Sequence, residues 1–367
     1  MRVALVYDRV NKWGGAERVL LALHELFPDA TLFTSVYDQE KASWAKVFEE
    51  TGQKIKTSFL QRFTFARGSH EFFASVMPIA FESFDFNEYD VVISITSEFA
   101  KSIITKPETR HISIILTPTR YLWSGYDHYF KNKMLRAVSL PVVRYLRSVD
   151  KTVAHRPDEL IGISKEVQDR IKKYYGRSSV LIYPPVDVRT IKNKKQSPEH
   201  LVSHSYFLVV SRLVSYKKID IAIKAANELK IPLIIIGEGR DKQRLQKIAG
   251  KTITFAGFVS EEQLFEHYRR AQALIFPGEE DFGIVMVEAQ LHGLPVIAYN
   301  AGGAKEIVIA GKTGELFDKQ NEESLVKILK NFDKTRYNSK SSIANAQRFS
   351  KENFKKSIKA VIDKKNK

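Results

Sequence analysis

There is no cysteine in this sequence, which excludes disulfides and thiolate metal sites and fits a reducing compartment. Long apolar runs are missing as well. The amino terminus, M-R-V-A-L-V-Y-D, is too short a run for a signal peptide, and no stretch is long enough to span a bilayer. The expectation is a cytoplasmic protein whose membrane contact is peripheral, at the inner face of the cell membrane. Acidic residues are scarce beside basic ones: 42 Asp and Glu stand against 58 Lys and Arg, giving a formal net charge of +16 and a pI near 9.6. Such an excess calls for an anionic partner, and nucleic acid, an anionic membrane surface and a nucleotide substrate all qualify. Neither G-x-G-x-x-G nor Asp-x-Asp occurs. The first absence weighs against a nicotinamide dinucleotide fingerprint.

What is present suffices for two domains. At 367 residues the chain exceeds the usual single-domain size, and 44% hydrophobic with 11% aromatic residues can fill two cores. Strands are expected at 2–7, 30–36, 91–95, 112–116, 160–163 and 180–183, then at 206–211, 233–236, 253–255, 273–276 and 296–298, alternating with helical or irregular stretches. Alternation of this kind implies an α/β protein with mostly parallel sheets covered on both faces. The run Tyr183-Pro184-Pro185 and the polar stretch after it read as a linker. The predicted division is therefore a first domain at 1–188, a linker at 189–204, a second domain at 205–349 and a basic terminal helix at 350–367. His200 and His204 have metal-ligand spacing only within a helix and lack a third ligand, so a linker pair is preferred.

The stretch P-G-E-E-D-F-G-I-V-M-V-E-A-Q-L-H-G, Pro277 to Gly293, organises the rest. An apolar run ends at Pro277 in an acidic turn, and Phe282-Gly283 opens a helix that Gly293 and Pro295 close. Free backbone N–H groups and the positive end of a helix dipole suit a phosphate or diphosphate. Glu280 and Glu288 flank that position, and carboxylates there accept hydrogen bonds from sugar hydroxyls rather than bind phosphate. The reading is a site for a phosphorylated sugar; two surface glutamates on an ordinary helix are the bland alternative.

Three further loops follow strand candidates. Gly14-Gly15 precede Ala16-Glu17, and two glycines let backbone approach a ligand closely, or simply start a helix. T-P-T-R-Y-L-W, Thr117 to Trp123, comes directly after a strand, where ligand crevices of open α/β sheets lie. Arg212 and Lys217 fall in R-L-V-S-Y-K-K, and such a cation pair either holds a diphosphate or is merely solvated. Two surface features remain. Lys131, Lys133, Arg136, Arg144, Arg147, Lys151 and Arg156 stand against Asp150 alone between Tyr129 and Arg156, a candidate surface for anionic lipid. The Phe- and Met-rich segment Phe59 to Phe86 reads as a core helix pair in preference to an exposed apolar surface.

E-D-F-G-I-V-M-V-E resembles the E-x7-E signature of retaining, GT-B-fold glycosyltransferases of family 4, the group 1 glycosyltransferases. G-G-A-E, T-P-T-R-Y-L-W and R-x4-K resemble further landmarks of that family in the same order, so the likeness covers nearly the whole chain. It implies two Rossmann-like, doubly wound domains facing a central cleft. It implies catalytic roles for Glu280, Arg212 and Lys217 at the sugar and the diphosphate. It implies donor contacts from Gly14, Gly15, Val259, Asp281, Phe282, Gly283, Ile284, Val285 and Glu288, with Glu288 on the ribose. On the acceptor side it implies Glu17, Arg120, Tyr121 and Trp123.

The combined motifs are most similar to GDP-mannose-dependent mannosyltransferases of bacterial polysaccharide synthesis. GDP-mannose is therefore the first choice of donor, with UDP-sugars open, and a glycan or polyprenyl-diphosphate-linked chain the expected acceptor. No metal or other cofactor is expected, because a metal-dependent GT-A mechanism calls for the missing Asp-x-Asp. Two departures stand out: Leu116 occupies the position where the family commonly has His, with His111 too far along the strand to replace it, and Met286 stands in place of Pro. A sugar-nucleotide epimerase of the same architecture and a non-enzymatic nucleic-acid-binding protein are the competing readings. Nucleic acid is not the expected partner, because it would not call for an acidic loop in the main crevice.

Overall fold

The computed structural model describes residues 1–50, 52, 54–63, 73–129, 132–187 and 206–364. The predicted linker and its His200 and His204 lie outside the described residues. The chain divides into two compact units, Met1–Pro185 with Phe354–Lys367, and Val186–Asn353.

The first unit is built on a seven-stranded sheet. Its strands are β1 (Val3–Tyr7), β2 (Thr31–Thr34), β3 (Lys56–Thr57), β4 (Val91–Thr96), β5 (Arg110–Ile115), β6 (Glu159–Gly162) and β7 (Val180–Leu181), in the spatial order β3-β2-β1-β4-β5-β6-β7. Every pairing is parallel. Parallel strands need helical crossovers that cover both faces, which is why β1 and β4 are buried along their whole length. β3 has only two residues, neither apolar, and offers the eye no pattern.

In the second unit, β8 (Phe207–Val210), β9 (Leu233–Ile236), β10 (Ile253–Gly257), β11 (Leu274–Phe276), β12 (Val296–Tyr299) and β13 (Gly314–Phe317) form a sheet in the order β10-β9-β8-β11-β12-β13. It too is parallel throughout. One of its helices, Glu261–Arg270, starts on the capping box that the Ser260–Gln263 spacing predicts, with both reciprocal bonds formed.

Of the segment Phe59 to Phe86, where a helix pair is expected, residues 64–72 lie outside the described residues. The described part holds a short 3-10 turn, Phe59–Arg62, and one helix, Met77–Glu82. Leu60, Met77, Ala80, Phe81 and Phe86 enter the core, whereas Phe59, Phe63 and Ile79 are exposed. The terminal helix, Lys351–Asp363, joins the first unit from Phe354 onward. There Arg110 donates to the carbonyls of Ile362 and Lys364 at 2.8 and 2.7 Å, and Lys355 pairs with Glu25 at 2.6 Å. The two Arg110 bonds satisfy carbonyls that a helix end leaves open.

Candidate functional site

Each sheet reverses its winding once, between β1 and β4 in the first unit and between β8 and β11 in the second. Ligands of open parallel sheets bind beyond the carboxyl ends of the strands at such a switch point. The site residues that the family resemblance implies all follow a strand's carboxyl end: Gly14, Gly15 and Glu17 after β1, Arg120 to Trp123 after β5, Arg212 and Lys217 after β8, Val259 after β10, and Glu280 to Glu288 after β11.

In the second unit the loops after β8 and β11 touch. The chain leaves β8 through a 3-10 turn, Ser215–Lys217, and closes it with Lys218 in the left-handed region at φ 55°. This brings the buried Nζ of Lys217 into an ion pair with the half-buried carboxylate of Glu280. A Cβ on Gly278 would stand 2.9 Å from the carbonyl oxygen of Lys217, so only glycine allows this approach. A small recess opens here, lined by Val210, Ser211, Lys217, Phe276, Pro277 and Gly278 among others. Arg212 is exposed and donates to the Tyr216 hydroxyl at 2.7 Å.

The acidic loop is held from behind. Gly303 N–H donates to the carbonyl of Glu280 at 2.9 Å, and Cβ atoms on Gly302 and Gly303 would fall 2.2 and 2.1 Å from the carbonyl oxygens of Glu280 and Phe282. Gly283, at φ 97°, turns the loop into the helix Ile284–Leu291. Phe282 is buried and lies edge-on to Phe349 with ring centroids 5.3 Å apart, so its ring belongs to the scaffold. Met286 is fully buried too, in the helix's first turn, and a Cβ on Gly283 would stand 2.3 Å from its Cε. Asp281, Ile284 and Val285 are half-buried around the helix start. Glu288 accepts from the hydroxyl of the buried Tyr268 at 3.2 Å. Val259 is half-buried, after a fully turned-out Phe258.

In the first unit, Glu17 is buried in the opening turn of the helix Gly15–His24 and accepts from the Tyr7 hydroxyl at 2.7 Å. Burial, reinforced by the Glu17 charge, holds the Tyr7 phenol well above its usual range, so it stays a donor. Gly14 lies in extended backbone, and a Cβ there would meet the Glu17 carboxylate at 3.2 Å; Gly15 is exposed.

The T-P-T-R-Y-L-W segment divides. Thr119 donates to Asp150 at 3.1 Å and Trp123 Nε1 to the same carboxylate at 2.6 Å, with the Trp123 ring stacked on Tyr174 at 4.9 Å. Arg120 and Tyr121 remain half-buried. The Tyr121 hydroxyl has no hydrogen-bond partner among the described residues, and burial followed by the Glu98, Asp150 and Asp8 charges raises its pKa well above the ordinary value. His111 is second in β5, opposite Val92 at the far end of the strand from Leu116. It does not replace a histidine at that position.

Two buried acids escaped the sequence reading of the site. Asp8, directly after β1, accepts from the Thr96 hydroxyl at 2.8 Å and from the backbone N–H groups of Ser97, Glu98, Phe99 and Ala100 at 2.6 to 3.1 Å. It ties the ends of β1 and β4 together across the switch point; its place at a strand's carboxyl end was the available signal. Asp150 accepts from Lys101 Nζ at 2.6 Å and the Tyr175 hydroxyl at 2.9 Å as well as from Thr119 and Trp123. No local pattern marks it.

Residues 190–353 match the family model described as glycosyl transferases group 1. An uncharacterized glycosyltransferase of Methanocaldococcus jannaschii is 28% identical over 46% of this chain and 47% of its own length. A GDP-mannose-dependent alpha-(1-6)-phosphatidylinositol monomannoside mannosyltransferase of Mycolicibacterium smegmatis is 28% identical over 49% of this chain and 53% of its own. The matched stretch thus spans about half the length of these curated relatives. The crystal structure of Anabaena HepE in complex with UDP-glucose aligns over 99% of both chains with a TM-score of 0.69 at 18% identity. Residues 190–353 therefore belong to the group 1 glycosyl transferases, and the chain has the GT-B fold.

Proposed function

We propose that this protein is a retaining hexosyltransferase that moves mannose from GDP-mannose to a hydroxyl of a glycan or polyprenyl-diphosphate-linked acceptor, met at the inner face of the cell membrane during cell-surface polysaccharide or glycolipid synthesis. The observation that carries the reading is the Lys217–Glu280 pair at the switch point between β8 and β11, beside the helix start at Gly283. A buried cation there is placed for the leaving diphosphate and its carboxylate partner for a sugar hydroxyl. As the glycosidic bond breaks, negative charge grows on the diphosphate, and Arg212, Lys217 and the backbone N–H groups of the helix start stabilise it. These groups take the part of a metal. Glu288 receives the ribose hydroxyls and the backbone at Val259 the base. Phe282, with its ring turned inward, contributes through its backbone. On the acceptor side Glu17, Arg120 and Tyr121 act directly, and Trp123 holds its segment in place through Asp150.

Similarity to a GDP-mannose-dependent enzyme favours GDP-mannose, and the fold shared with a protein crystallised with UDP-glucose makes UDP-glucose the second candidate. Calorimetry of GDP-mannose, UDP-glucose and NAD in EDTA, with wild type and Arg212→Ala, tests the proposal. Metal-free binding of one nucleotide sugar, weakened at least about tenfold in the variant, is the expected result. Binding of NAD instead, or of none of the three, overturns it. Product analysis separates transfer from epimerisation.

A further inference from the structure

The helix Lys133–Val153 carries an exposed apolar stripe over its first half. Val143, Leu146, Asp150 and Val153 face inward and are buried, the first two in the first unit's main hydrophobic cluster. About a quarter turn round the helix from that face stand Met134, Val138, Val142 and Tyr145, exposed at 74, 73, 52 and 60%, with Pro141 exposed between them. The spacing of four, four and three residues puts them in one stripe about 16 Å long. A solvent-facing helix side is ordinarily polar, and a contiguous apolar stripe marks an interaction surface.

The surrounding charge narrows the partner. Of the cations that make this segment basic, three are committed elsewhere: Arg136 pairs with Asp127, Arg147 donates to the Leu122 carbonyl at 2.6 Å, and Arg156 pairs with Glu82 at 2.7 Å. Arg144 and Lys151 are exposed and form no ion pair among the described residues. Seven residues apart, they share one side of the helix, Arg144 level with the end of the apolar stripe and Lys151 about 9 Å beyond it. An apolar strip and cations on one helix match the boundary between acyl chains and anionic headgroups. No helix among the described residues is long and apolar enough to cross a membrane, so the helix would lie in the surface.

We propose that this helix docks the protein on an anionic lipid bilayer, with Met134, Val138, Val142 and Tyr145 entering the acyl boundary and Arg144 and Lys151 meeting lipid phosphates. This names the surface behind the reading of an acceptor met at a membrane, and it narrows the expected basic surface to one helix face on which the apolar stripe supplies most of the contact.

Sedimentation of the full chain with phosphatidylcholine vesicles containing about one third phosphatidylglycerol, without substrate, is the test. The wild type sediments with these vesicles and less with pure phosphatidylcholine. Val138→Asp with Val142→Asp lowers the partition coefficient about tenfold or more, and Arg144→Gln lowers it about fivefold. Both changes sit on exposed positions, and donor calorimetry in the absence of lipid reports whether the variants are folded. Failure of donor binding alone bears on the proposed function and not on this surface. No sedimentation of wild type, equal retention on pure phosphatidylcholine, or retention unchanged by the paired valine substitution overturns the proposal. So does a dimer that the valine substitutions split while vesicle retention stays the same, because the face then meets a second copy.

Discussion

Lys217 and Glu280 form an ion pair across the two loops that leave β8 and β11, the strands at which the second sheet reverses its winding. The lysine is buried, and its backbone lies so close to Gly278 that the loops cannot separate without losing the pair. Lys217→Ala is expected to weaken GDP-mannose binding about 10- to 100-fold, the range for losing a charge-assisted bond to phosphate. Glu280→Gln should cost less affinity and more turnover, because a sugar hydroxyl contact strengthens as the transition state forms. Adding the second substitution to the first should cost less than the two separately, since each residue holds the other in place. Unchanged donor affinity in Lys217→Ala would remove the lysine from the site.

Asp150 is a structural hub under the proposed acceptor segment. Asp150→Asn leaves a hydrogen-bonding group for Trp123 and Thr119 but strands the buried Lys101 ammonium without its countercharge. Breaking a buried pair in this way costs about 3–5 kcal/mol. Urea unfolding should show that loss, and adding Lys101→Met should recover part of it, because no charge is then left buried alone. A loss that the double variant does not reduce would mean that the hydrogen bonds to Thr119, Trp123 and Tyr175 matter more than the ion pair.

His111 makes stability depend on acid. Burial, with the Arg156 and Arg177 charges adding to it, lowers its pKa from 6.5 to about 3, and its Nε2 sits 2.9 Å from the Ser94 hydroxyl. The unfolded chain therefore binds a proton that the folded chain refuses. The stabilisation is fully present above pH 6.5 and is lost as pH falls from there toward 3. The total is on the order of 5 kcal/mol. His111→Gln should flatten the stability profile in that window while lowering stability little above it. Identical slopes in wild type and variant below pH 6.5 would show that the histidine is protonated in the folded state.

The strands were legible where an apolar run of four to six residues ended in a turn. L-I-I-I at 233–236 and V-V-I-S-I-T at 91–96 are found where their composition puts them. β3 and β13 were not read, the first being two residues, the second opening on Gly314, whose φ is 152° and where a Cβ would fall 1.8 Å from the Val296 carbonyl oxygen, so that only glycine is tolerated. The candidate site was half legible. Loop positions followed from strand ends, so Arg212, Lys217, Glu280 and Gly283 were named in advance. Asp8 went unread and Asp150 was noted only as the lone acid of a basic segment, because their partners lie 88 to 92 and 25 to 49 residues away in the chain.

The sequence by itself determined the alternation of strands and helices, the parallel sheets that alternation requires, and the loops in which chemistry-bearing side chains would lie. Steric limits on the backbone and the period of apolar residues act over a dozen residues or fewer, and those are visible in a string of letters. The tertiary structure decided which of those side chains meet: Lys217 with Glu280, Trp123 with Asp150, and Met134, Val138, Val142 and Tyr145 with solvent rather than core. Each outcome depends on how crossover helices close parallel pairs, and that is settled by packing between segments far apart in the chain.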